Sequence, residues 1–370
     1  MTKFFLQILF IILYLDCATS QDVSIGSNDN KEEIKISAFL DVFYAYDFHQ
    51  PKDGKRQYFF YNHNRHNEFN LNLGYLKLSY TNEKLRANLA LQSGTYPNDN
   101  YASEPGLLKA VFEANAGYAM NGKNNLWLDV GIFASHIGFE SAISQENWTL
   151  SRSMLAENSP YYLSGAKLTY KPSARIEYMA LICNGWQHIQ KINGNSLPSF
   201  GTQIKFFPKE NTELNWSTFI GTDDPDSTRR MRYFNNFYAK FQLNKRIGLI
   251  AGMDFGIQQI TKKSMYHNAW FSPILICRYT LSDHWAAAVR AEYYEDLTGI
   301  IIPLQNNRTF ETTGWSLNLD YNPTPMISYR LEGRSLIVNH KLFAASNNSR
   351  SSQNFCILGS VAINFNRIVH

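Results

Sequence analysis

Two small groups of side chains in this chain are of the types that do chemistry at close range. His63 and His66 stand in the run Tyr61-Asn62-His63-Asn64-Arg65-His66, and paired imidazoles commonly begin a transition-metal site. A loop rich in Asn offers them no evident third ligand, so the pair is expected to make structural hydrogen bonds. Ser135, His136 and Ser141 hold the residue types of a hydrolase, whose nucleophile and base must come within hydrogen-bond reach. No phosphate-cradling glycine loop, HExxH helix or CxxC pair accompanies them. Enzyme activity therefore has no positive support, and neither a metal nor a cofactor is expected.

The commoner chemistry is charge spaced by two within apolar stretches. Such spacing needs a strand, whose side chains point to opposite faces at each step. After residue 33 about sixteen stretches of roughly ten residues alternate in this way. Ile34, Ile36, Ala38, Leu40, Val42, Tyr44 and Tyr46 share one face, and Lys35, Ser37, Asp41 and Asp47 the other. Phe69, Leu71 and Leu73 alternate with Asn70 and Asn72, and the phase then slips near Gly74, which suggests a bulge. Downstream, Phe112, Ala114, Ala116 and Tyr118 oppose Lys109, Glu113 and Asn115, while Leu249, Ala251, Met253, Phe255 and Ile257 oppose Gly252, Asp254 and Gln258.

The connections alternate too. Those beginning at Thr81, Asn121, Lys171, Pro208, Asn244, Ser282 and Asn322 are short; those near Phe48, Ser93, Ala134, Cys183, Thr222, Thr261, Glu295 and Ser335 are mostly much longer. Tight turns at one end, long loops at the other and one oily face per strand predict an all-β fold. It is a transmembrane antiparallel up-and-down β-barrel of about sixteen strands, with fourteen or eighteen also compatible, wide enough to hold water. Trp127, Trp216 and Trp285, with Tyr80, Tyr170 and Phe365, are expected to form one aromatic girdle, and Tyr44, Tyr162 and Tyr293 the other.

The ends and the composition agree with an exported chain. Residues 1–20 carry Lys3, an apolar run from Phe4 to Leu15 and then Ala18, Thr19 and Ser20, the pattern of a secretory signal cut before Gln21. A lipoprotein anchor at Cys17 is disfavoured by bulky Tyr14 and Leu15 and charged Asp16. Residues 21–32 are then a periplasmic segment and 33–370 the barrel. The three remaining cysteines, Cys183, Cys277 and Cys356, are odd in number and far apart, which argues against a disulfide framework or a zinc site. The hydrophobic share is 44% and the aromatic share 15% at a mean hydropathy of −0.32. No apolar run after the signal is long enough for a membrane helix, and lipid then permits only a closed barrel. A net charge of +4 is too small to imply nucleic acid.

Charges on the polar face should line a hydrated lumen, since unpaired burial costs several kcal/mol each. The basic set is Lys77, Arg86, Lys109, Lys167, Arg175, Lys205, Lys240, Arg278, Arg290, Arg330 and Arg334; the acidic set is Asp41, Glu113, Asp129, Glu177, Asp254, Glu292, Asp320 and Glu332. The basic excess implies a slight preference for anions. The segment Ala134 to Pro160 is the longest loop and carries His136, Glu140, Glu146, Arg152 and Glu157. It is expected to fold inward and constrict the channel, its carboxylates facing wall arginines such as Arg86 and Arg330. These features imply passive diffusion of small hydrophilic solutes. A barrel that acts as adhesin or scaffold through its loops, and a barrel hydrolase, are the alternatives.

The stretch from Tyr61 to Leu73 resembles the segment after the first strand in the OmpL-like family of outer-membrane porins. Gly131-Ile132-Phe133-Ala134-Ser135-His136-Ile137-Gly138-Phe139-Glu140-Ser141 and Ser159-Pro160-Tyr161-Tyr162 are similar to further segments of that family. The resemblance spans almost the whole mature chain and implies an outer-membrane porin without an established substrate. Its partners would be the bilayer and outer-membrane lipids, small hydrophilic solutes or ions, and the outer-membrane assembly machinery, with monomer or homotrimer left open. One departure is the tail Asn366-Arg367-Ile368-Val369-His370 after Phe365, where many such barrels end on an aromatic residue. Phe365 would then signal from an internal position, or the tail follows another convention.

Overall fold

In a computed structural model of the chain, which describes residues 32–303, 309–344 and 349–369, sixteen strands pair antiparallel until the last closes on the first. The expected signal, and the segment after it up to residue 31, lie outside the described residues. The barrel strands are β1 Glu33–Asp47, β2 Phe69–Thr81, β3 Leu85–Ser93, β4 Val111–Ala119, β5 Leu126–Ala134, β6 Tyr162–Ser173, β7 Ile176–Cys183 and β8 Ser199–Lys209. They continue with β9 Thr212–Gly221, β10 Arg232–Gln242, β11 Ile247–Gln259, β12 His267–Thr280, β13 Trp285–Asp296, β14 Phe310–Thr324, β15 Ile327–Val338 and β18 Gln353–Val369. A small ladder, β16 Phe343–Ala344 with β17 Arg350–Ser351, sits in the loop before the last strand.

The short connections are built by local side-chain bonds. Asn82 Oδ1 accepts from the Lys84 and Leu85 amides at 2.9 and 2.7 Å, and Asn244 Oδ1 from Arg246 and Ile247 at 2.8 and 3.0 Å. Each closes an Asx turn that reverses the chain within a few residues. All such turns lie at one end of the barrel and all long loops at the other. The tail beyond Phe365 belongs to the wall: Asn366, Arg367, Ile368 and Val369 pair with Ser37, Ile36, Lys35 and Ile34.

Outward side chains form a continuous apolar belt in which Leu89, Val130, Val289, Leu317 and Leu331 stand about half or more exposed. An apolar surface of that extent is stable only against lipid. Trp285, Tyr170 and Phe365 are exposed at the short-turn end, and Trp285, Tyr321 and Tyr329 lie side by side there, with centroids 4.7 and 6.2 Å apart. Trp216 instead stands midway along β9, paired with Ile204 and Phe237, outside that girdle.

Several positions differ from the alternation reading. The bulge falls at Asn72, before Gly74: Asp41 pairs with Leu73 and Val42 with Leu71. Leu73 is therefore turned inside and fully buried. A second bulge leaves Phe112 without a partner between Glu113 and Val111, so its ring stacks on Tyr75 at 5.2 Å. Trp127 has the parity of Asp129 and faces inward, donating from Nε1 to the Asn124 carbonyl at 2.9 Å. Tyr162 is also inside, 1% exposed and stacked on Tyr101 at 3.9 Å. Lys109 lies on a short 3-10 turn, Gly106–Ala110, and Arg175 in the exposed turn between β6 and β7; neither is part of the wall.

The inner face is also less wet than a charge count implies. At the long-loop end Phe133, Leu163, Met179, Leu181, Phe219, Phe234, Trp270 and Leu336 point inward and form a buried cluster with Phe59 and Phe60 of loop 48–68 and Ile137 and Met154 of loop 135–161. Met179 and Leu181 fall in an unbroken apolar run, Tyr178 to Cys183, where alternation carries no signal.

Leu317 lies midway along β14 and is 62% exposed. Leu317→Arg should lower stability in lipid vesicles by about 2–4 kcal/mol, as charge on a lipid face does near the midplane. Urea unfolding measures it, and an unchanged midpoint would mean that this face meets water.

Candidate functional site

The loop 135–161 leaves β5 and crosses the lumen. His136 begins the attachment: its Nε2 meets the Thr218 carbonyl of β9 at 2.8 Å, and its own carbonyl accepts from Gln203 and Ser217 at 2.8 Å. Asn236 of β10 accepts from the Gly138 amide at 3.2 Å. Trp148 then rests on β11 at Gly248, where an added Cβ would come within 2.5 Å of its ring. On the opposite wall Asn318 accepts from the Leu150 amide at 2.8 Å, and Gln145 donates to the Ala362 carbonyl at 3.1 Å. Arg152, fully buried, keeps the loop's own shape by donating to the carbonyls of Ser141, Ala142 and Leu150 at 2.6, 2.6 and 2.7 Å.

The tightest fastening is a four-membered charge cluster on β13 and β15. Arg290 pairs with Glu332 at 2.8 Å and Arg334 with Glu292 at 2.5 Å, each side chain no more than 1% exposed. Burying four charges without water is costly unless every one is paired and hydrogen-bonded. The loop backbone supplies further bonds, leaving Nε of Arg290 and of Arg334 as the cluster nitrogens without a hydrogen bond among the described residues. Glu332 and Glu292 accept from the Ser151 and Met154 amides at 2.5 and 2.6 Å, while Arg290 and Arg334 donate to the Ser151 and Arg152 carbonyls at 2.7 and 2.9 Å. Wall and loop thus extend each other's hydrogen bonding.

This replaces the expected pairing of loop carboxylates with Arg86 and Arg330. Arg86 is taken by Asp129 of the wall at 2.6 and 2.5 Å. Arg330 binds Asp320 at 2.8 Å and donates to the Ser144 and Asn147 carbonyls at 2.6 and 3.0 Å. Glu140 turns back to cap Ser153 within the loop, and Glu146 is exposed. Glu157 reaches the other inserted segment, accepting from the Tyr61 and Asn62 amides at 2.8 and 3.2 Å. In that segment His63 Nε2 meets buried Asp41 at 2.9 Å, and His66 Nδ1 accepts from the Asp47 amide at 3.0 Å. The two imidazoles therefore serve separate bonds, and the described residues hold no cluster of three or more His, Cys, Asp or Glu side chains. Ser135 and Ser141 accept from the Ile137 and Ile143 amides, and His136 Nε2 is held by the Thr218 carbonyl instead of by either serine.

The other charged positions surround the remaining space. Lys77 binds Glu113 at 2.5 Å, Lys171 binds Glu177 at 2.6 Å, Lys205 and Lys240 flank Glu213 at 3.8 and 3.9 Å, and Arg278 lies 3.9 Å from Asp320. Asp254 accepts from Asn236 at 2.6 Å in a buried contact. A cavity of about 450 Å³ opens toward the short turns between Arg86, Trp127, Lys167, Lys171 and Asn124. A second, about 340 Å³, lies against the loop, also toward the short turns, between Glu146, Arg278, Asn322, Ser328 and Asn366. Asn364 likewise seats the loop, donating to Gln145 Oε1 at 2.5 Å; like Asn236 and Asn318 it is an uncharged residue on a polar face, which in sequence looks like an ordinary solvent-facing position. Their one signal was inward parity.

Arg290→Met should cost about 3–5 kcal/mol, because it removes the ion-pair partner of Glu332 and leaves that carboxylate as a buried charge. Protease cleavage within 135–161 should rise alongside, and an unaltered urea midpoint would mean that water reaches this cluster. The Glu157 carboxyl offers a second test. Burial pushes it up from an ordinary 4.5 to about 7, against the Tyr61 and Asn62 amides and the Arg152 and Arg334 charges, which pull it down. A carboxyl raised in the folded state stabilises that state fully below its ordinary value and loses the contribution as pH climbs through about 7. Hydrogen-exchange protection of the Tyr61 and Asn62 amides, corrected for intrinsic rates, should fall between about pH 5 and about pH 8. Glu157→Gln should flatten that dependence; equal protection at both pH values in the unaltered protein would refute it.

An anion-selective porin from Comamonas acidovorans superimposes with a TM-score of 0.60 at 9% identity, covering 90% of this chain and 100% of that one. The outer membrane channel DcaP of Acinetobacter baumannii gives 0.59 at 11% identity over 92% and 99%, and Salmonella typhi OmpF 0.54 at 12% over 92% and 99%. At such identities the likeness is one of fold. No curated protein matches the chain. The family described as putative beta-barrel porin-2, OmpL-like, matches residues 33–365, nearly the full span of the barrel, and the chain belongs to that family.

Proposed function

We propose that the protein is an outer-membrane channel through which small hydrophilic solutes diffuse passively, with a weak preference for anions and no catalytic step. The observation that carries this reading is a loop fastened across the lumen, with charged space left toward the short turns, one cavity against the loop and another along β3 to β7. Such a loop narrows a wide barrel without filling it, and charged rings at the narrowing select by sign. The apolar packing of loops 48–68 and 135–161 at the far end restricts passage further, which favours small solutes. Anion preference rests on the cations that keep partly exposed side chains, Arg86, Lys205, Lys240 and Arg278.

Insertion by the outer-membrane assembly machinery follows from this reading. Assembly into trimers is supported only by the fold, since OmpT of Vibrio cholerae is a similar barrel in a trimer form. Liposomes containing the refolded protein should swell in isosmotic small sugars, and a salt gradient should give a reversal potential of the sign for modest anion selectivity. Absence of swelling by a barrel that passes the heat-modifiable mobility test would overturn the channel; a cation-selective potential would overturn the preference alone.

A further inference from the structure

A third cavity, about 260 Å³, lies between the start of the inserted loop and β6 to β8, and it shares Phe133, Lys167, Thr169 and Glu177 with the cavity of about 450 Å³. Its walls are of two kinds. Phe133, Met179 and Leu181 are apolar, while Lys167 and Lys205 bring positive charge. The Lys167 ammonium sits 4.5 Å from the Phe133 ring centroid and makes no hydrogen bond or ion pair among the described residues. The neighbouring carboxylates are already engaged, Asp129 by Arg86 at 2.6 Å and Glu177 by Lys171 at 2.6 Å. Lys205 has only a distant partner, Glu213 at 3.8 Å.

His136 completes the lining. A carbonyl can only accept, so the bond to Thr218 puts the imidazole proton on Nε2. Nδ1 is then a buried acceptor with no donor among the described residues, the kind of atom that a ligand or a water satisfies. Burial pushes this imidazole down to about 4, so the cavity's positive charge comes from the lysines.

We propose that this cavity binds small monocarboxylates with a flat or branched apolar body, the carboxylate on Lys167 and Lys205 and the body against Phe133, Met179 and Leu181. A doubly charged anion fits less well, because three apolar side chains and the Glu177 carboxylate stand beside the two ammonium groups. An uncharged solute of the same shape leaves the ammonium of Lys167 without a directly bonded anion in a partly desolvated place, where charge-assisted bonds are strongest. The site rests on the lumen being open to solute, as the channel reading holds, yet its occupancy can be read without conduction.

Calorimetric titration of the refolded barrel in micelles, against protein-free micelles, should show saturable binding of benzoate. Acetate and benzyl alcohol, which lack the body and the charge respectively, should bind at least roughly tenfold more weakly, and Lys167→Gln should weaken benzoate by about tenfold. Should that variant fail the heat-modifiable mobility test, Lys205→Gln replaces it with a loss in the same direction. Benzoate binding no tighter than acetate, or unaffected in a folded variant, overturns the site. Sugar-driven swelling separates the two readings: swelling without selective benzoate binding removes the site alone, and benzoate binding without swelling removes the channel.

Discussion

Backbone groups placed in hydrocarbon have only one another to bond to, and a sheet meets that condition only by closing on itself. The pairing of β18 with β1, from Ile34 with Val369 to Asp47 with Cys356, is where closure is achieved. Every other feature depends on it. A closed wall separates an oily exterior from an interior that can hold charge, and it gives inserted loops a surround on which to fasten. Even the tail beyond Phe365 is used for this purpose, extending the seam rather than hanging from it.

Inside that wall the problem is reversed. Side chains such as Arg290, Arg334, Glu292 and Glu332 lie too deep for water, so they need partners with well-placed hydrogen bonds. The segment Ser151 to Met154 supplies two amides and two carbonyls, and the wall supplies two anions and two cations to match. Each is poorly satisfied without the other. The consequence is a loop held in one place across the lumen, and space for solutes confined to its flanks.

The strands and their directions were legible because lipid on one face and polar groups on the other impose a period of two, and a run such as Leu249 to Ile257 leaves little ambiguity. Legibility failed where that contrast was missing. Met179 and Leu181 are inward apolar residues among outward apolar ones, and they look no different until loop residues are seen packed on them. Trp127 fell at a strand end, where a girdle tryptophan and a lumen tryptophan share the same surroundings in sequence, although its parity with Asp129 settles its face. Bulges at Asn72 and Phe112 invert the faces of nearby residues by one step, and a phase slip alone locates such a change only to within a few positions.

The sequence by itself determined that the chain closes into a membrane barrel of about sixteen strands with turns at one end and loops at the other, because that information is local and repeats strand after strand. Tertiary structure decided which charges meet water. Arg86 and Arg330 are both inward arginines by parity, yet one lines an open cavity and the other holds a loop. The difference lies in what crosses the lumen opposite each of them, and a contact between residues 186 positions apart leaves no trace in a two-residue period.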